Sequence, residues 1–78
     1  PSTTIQFHVP RTSHVTIKIF NILGREIKTL LDTEIQAGQH KMLWNGKDEQ
    51  NRQVTSGVYF YQMKAGDFQM TRKMILLY

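Results

Sequence analysis

Cysteine is absent from this chain, which excludes disulfides and any zinc site built on thiolates. Small domains often lean on such cross-links; this one must be held by packing and backbone pairing alone. No apolar run approaches the roughly 20 residues that a membrane-spanning helix needs. No run of like charge exceeds two residues. Gly-x-Ser-x-Gly is missing, as is any glycine-rich phosphate loop, and the five glycines stand isolated. The amino end shows no basic start followed by an apolar centre; Pro1-Ser2-Thr3-Thr4 reads instead as a point within a longer chain.

What is present suits one small folded domain. Seventy-eight residues make a single unit, residues 1–78, with one compact core. A hydrophobic share of 40% is enough for that core and argues against disorder. Ten basic residues against six acidic ones leave a formal charge of +4. The basic residues are scattered, whereas a nucleic-acid groove gathers cations and aromatics on one face. They read as a solvated surface, and the sharper alternative is weak attraction to anionic lipopolysaccharide.

The dominant pattern along the chain has period two, the mark of half-buried strands. Ile5, Phe7 and Val9 alternate with polar neighbours until Pro10, which lacks the N–H a ladder needs. Val15, Ile17 and Ile19 repeat the pattern and run into Asn21-Ile22-Leu23-Gly24, a turn. Residues 25–32 fit two templates. Leu23, Ile27, Leu30 and Leu31 match a helical stripe, and a strand with a bulge after Ile27 fits as well; the flanking strands favour the second. Ala37-Gly38 breaks the chain before His40, Met42 and Trp44 alternate again. Residues 45–53 are a polar loop, after which Val54 tucks back and Ser56-Gly57 turns. Val58, Tyr59, Phe60 and Tyr61 are apolar on both faces, as in a central covered strand. Ala65-Gly66-Asp67 joins a hairpin, and the final strand runs from Phe68 to Tyr78, with Met74 and Leu76 facing the core. The expected fold is all-β, an immunoglobulin-like antiparallel sandwich of about seven short strands; one barrel-like sheet is the alternative.

Chemistry is hard to find. Ser2, Ser13 and Ser56 have no His and Asp at a telling spacing. His8, His14 and His40 fall on three different strands, and ordinary surface histidines are expected rather than metal ligands. Asp48-Glu49-Gln50-Asn51 has too few acidic positions for a calcium loop. Trp44, Tyr59, Phe60 and Tyr61 suit a sugar-stacking platform in principle, but Trp44 is in phase with Met42 and reads as core. The six acids lie mainly in turns, with no cleft for acid–base work. No enzyme, cofactor or metal is expected.

Several stretches together resemble a known family. They are Pro1-Ser2-Thr3-Thr4-Ile5, Val15 through Ile27, Trp44-Asn45-Gly46-Lys47-Asp48, Ser56-Gly57-Val58-Tyr59-Phe60-Tyr61, and Arg72-Lys73-Met74-Ile75-Leu76-Leu77. In this order they resemble type IX secretion system sorting domains of type A, and the closely similar immunoglobulin-like domain of the flagellar hook-capping protein. The resemblance implies a non-catalytic C-terminal module of an exported bacterial protein. Its partners would be the secretion machinery of the outer membrane and the cargo domain of its own chain, with lipopolysaccharide as a possible anchor. Its location would be the cell surface or medium, reached through the periplasm. The recognition element maps to Lys73, Met74, Ile75, Leu76, Leu77 and Tyr78, with Gly24 and Gly57 as turn formers. Two features depart from the family pattern: Asn-Pro-Phe-Asn does not precede Pro1, and Asn51 stands near the usual loop glycine. A final strand at a sheet edge offers unpaired N–H and C=O groups to a partner. A spacer or docking module is the competing reading, and carbohydrate binding a third.

Overall fold

The computed structural model describes residues 2–77. Six strands form among them: β1 (Thr3–Val9), β2 (Ser13–Phe20), β3 (Glu26–Ile35), β4 (Gly38–Trp44), β5 (Gly57–Ala65) and β6 (Phe68–Leu76). They make two antiparallel sheets, a pair ordered β1-β4 and a sheet of four ordered β3-β2-β5-β6. Two packed sheets rule out the single barrel-like sheet. No helix long and apolar enough to cross a membrane occurs among the described residues.

The period-two pattern sets the inward faces. Ile5, Phe7 and Val9 of β1, Val15, Ile17 and Ile19 of β2, and Tyr59, Tyr61, Met63 and Ala65 of β5 all enter one core. Trp44 is fully buried and meets the edge of Tyr59, ring centroids 5.2 Å apart at 71°. Its indole N–H donates to the Lys47 carbonyl at 3.0 Å, so the largest core side chain leaves no polar atom unsatisfied. The Tyr59 hydroxyl likewise donates to the Thr55 carbonyl at 2.7 Å.

Residues 25–32 are strand, with two register shifts against β2. Ile17 pairs with Leu31 and Lys18 with Thr29, so Leu30 is extra; Ile19 pairs with Lys28 and Phe20 with Glu26, so Ile27 is extra. Each extra residue adds a local twist, and both pack against the core. Bulges thus turn a period of two into the wider spacing that looked helical.

Six strands fall within the expected sandwich of about seven short ones. Residues 45–55 supply only an isolated bridge between Lys47 and Gln53. The polar loop folds on itself instead: the Asp48 carboxylate accepts amide protons from Gln50 at 3.0 Å and Arg52 at 2.9 Å. Asn51 takes φ 63°, the left-handed conformation that Asn tolerates. Gly24 sits at φ 83° in the turn closed by the Asn21 side chain, which accepts from Leu23 and Arg25.

Candidate functional site

The serines and histidines are not gathered into a site. His8 is exposed on β1, in the small sheet. His14 donates to Asp32 at 2.5 Å across β2 and β3, and His40 stacks on Phe7 at 5.4 Å. No cluster of three His, Cys, Asp or Glu that could hold a metal occurs among the described residues. The Asp48 carboxyl is held below its usual range, first by the Arg52 amide, then by the nearby Arg52 charge and the Gln50 amide, against a desolvation that pushes it up. Those bonds tie it to its own loop. Trp44, Tyr59 and Tyr61 are buried in the core, which removes the sugar platform.

What remains is an edge. β6 pairs with β5 on one side and closes the sheet on the other. Along it, alternate side chains go to opposite faces. Leu76 is buried and Met74 packs against the core, as expected. Lys73 and Ile75 point outward, and Ile75 is 56% exposed. The pairing ends at Gly57 with Leu76, because β5 begins there. Leu77 therefore lies just past the strand, contrary to the expectation that the strand continues, and is 73% exposed. Tyr78 lies outside the described residues. Of the six proposed recognition residues, Lys73, Ile75 and Leu77 are presented to solvent, while Met74 and Leu76 serve the core.

Sequence reasoning missed what stands beside this edge. Phe20 pairs with Phe60, Phe60 with Lys73, and Val58 with Ile75. This outward row makes an apolar strip on the sheet, prolonged by Ile22, 72% exposed, in the turn after β2. The signal was the double-sided apolar character of residues 58–61, which marked a central strand but not the open face that it serves. Lys18 on this face pairs with Glu26 at 3.6 Å; Lys73 has no ion pair among the described residues.

The family profile of the FlgD Ig-like domain matches residues 2–68. No curated protein sequence matches. Among solved structures, FlgD from P. aeruginosa superposes with a TM-score of 0.77 over 96% of this chain at 17% identity, a likeness in fold. This chain spans 58% of that FlgD chain.

Proposed function

Because the chain belongs to the FlgD Ig-like domain family, we propose that it is a non-catalytic recognition module whose free edge strand, β6, directs an attached bacterial protein through a type IX secretion system. The observation that carries this reading is the position of β6. It lies last in its sheet, its outer edge is bare among the described residues, and Lys73, Ile75 and Leu77 flank that edge with one cation and two exposed apolar groups. Strand addition supplies backbone bonds, and side chains of this kind supply selectivity. The cargo would precede the module in the parent chain. Export would pass through the periplasm to the surface or medium, where the net positive charge favours contact with anionic lipopolysaccharide.

The family itself favours a second reading, in which the module spaces or docks neighbouring domains of an extracellular assembly. The two diverge in one experiment. A passive reporter is fused to the module in a bacterium with a working type IX system, with Lys73→Glu, Ile75→Glu and Leu77→Glu combined. These side chains lie outside the core, so the fold is expected to survive, as checked by the thermal melt of the purified fusion. Loss of surface reporter with a melt still cooperative and within several degrees of the parent supports edge recognition. Undiminished export of the triple variant sinks it.

A further inference from the structure

The two sheets are unequal, and the inequality leaves a slot. The four-stranded sheet is faced by only two strands, β1 and β4. β1 bonds to β4 on one side and has no strand on the other among the described residues. That free edge runs beside the inner face of β6. Toward Leu76 this face is closed, but toward Phe68 it is open: Phe68 pairs with the inward residue Ala65, yet remains 44% exposed. A groove of about 440 Å³ there is lined by Gln6, Phe7 and His8 of β1, Gln39 at the start of β4, and Phe68, Met70 and Arg72 of β6.

We propose that this groove accepts an extended segment of a separate protein, which adds to the free edge of β1 as a third strand of the small sheet. The spacing suits it. A strand added to β1 lies about 4.8 Å from it and about 10 Å above β6, the ordinary separation of packed sheets. Alternate side chains of the guest fall on Phe68 and Met70, which covers apolar surface now facing water.

Charge says what the guest carries. No acidic residue lines the groove. Arg72 contacts the Met70 sulfur at 3.2 Å and makes no ion pair among the described residues. The fitting guest is a strand of alternating apolar residues with a carboxylate opposite Arg72. A second copy of this chain offers less. Its β1 and β6 carry no acid, and of the three acids on its β3, Glu26 and Asp32 are already paired with Lys18 and His14, which leaves Glu34 alone to meet Arg72. This site is separate from the outer edge of β6, so each can fail without the other.

The test uses the purified chain, labelled with ¹⁵N, titrated with a capped octapeptide of alternating valine and threonine bearing one central glutamate. A second peptide has lysine in its place. Expected are saturable shifts of the β1 amides, about fivefold preference for the glutamate peptide, and reversal of that preference in Arg72→Glu. Overturning results are shifts confined to β6 without β1, equal affinity for the two peptides, or no saturable shift. Concentration-dependent β1 shifts without peptide would assign the groove to a second copy and also overturn the proposal.

Discussion

Trp44 sits where the core and the polar loop meet. Its ring fills the interior and its N–H closes the loop at Lys47. Trp44→Ala should cost about 3–5 kcal/mol, a large part of what a domain of this size has; urea unfolding measures it. Asp48 plays a smaller part at the other side of that loop. Its folded carboxyl is more acidic than in the unfolded chain, so its stabilising effect is complete above about pH 4. It fades as pH falls through the depressed folded value. Asp48→Asn should therefore lower the melting temperature near neutral pH, and the gap to the parent should narrow in melts taken at successively lower pH below the unfolded carboxyl value. Gly57 takes φ 151°, and a Cβ there would meet nothing within 4 Å. Gly57→Ala should then destabilise through backbone strain alone, by about 1 kcal/mol, seen as a lower urea midpoint at unchanged slope.

At the scale of elements, legibility followed regularity. β1 and β2 alternate without interruption, and their inward residues were readable one by one; β5, apolar on both faces over residues 58–61, was legible as a strand but not face by face. β3 was ambiguous because Ile27 and Leu30 are extra residues in the ladder, and bulges erase the period that identifies a strand. The loop after β4 was legible from its polar run, and the structure keeps it irregular: Lys47 and Gln53 meet only in an isolated bridge, with Asn51 at positive φ between them. The edge position of β6 follows from pairing order, which no local pattern encodes; only its place as the final strand hinted at it. The two roles within residues 73–78 lead to a further expectation. Removing them deletes Leu76 and Met74 from the core as well as the bare edge. That truncation should abolish cooperative thermal unfolding by circular dichroism, whereas Ile75→Glu alone should shift the melt by only a few degrees.

The whole molecule measures 35 × 21 × 21 Å, and its pairing registers bring the start of β1 and the end of β6 to one end. Thr3 stands opposite Trp44, and Leu76 opposite Gly57. The turn with Ile22 and Leu23 occupies the same end, next to the paired Phe20 and Phe60. The apolar strip, the exposed Leu77 and the outer edge of β6 thus share one half of the molecule, and the β1–β6 groove opens toward the other.

The central claim, that the folded module is itself an export signal, is tested most directly by reporter location. A passive reporter with and without this module is expressed in a bacterium with an active type IX system and in the same strain with that system disabled. The account predicts reporter at the surface or in the medium only when both module and system are present. A folded fusion retained in the periplasm of the active strain would contradict it and leave the spacer or docking reading in its place.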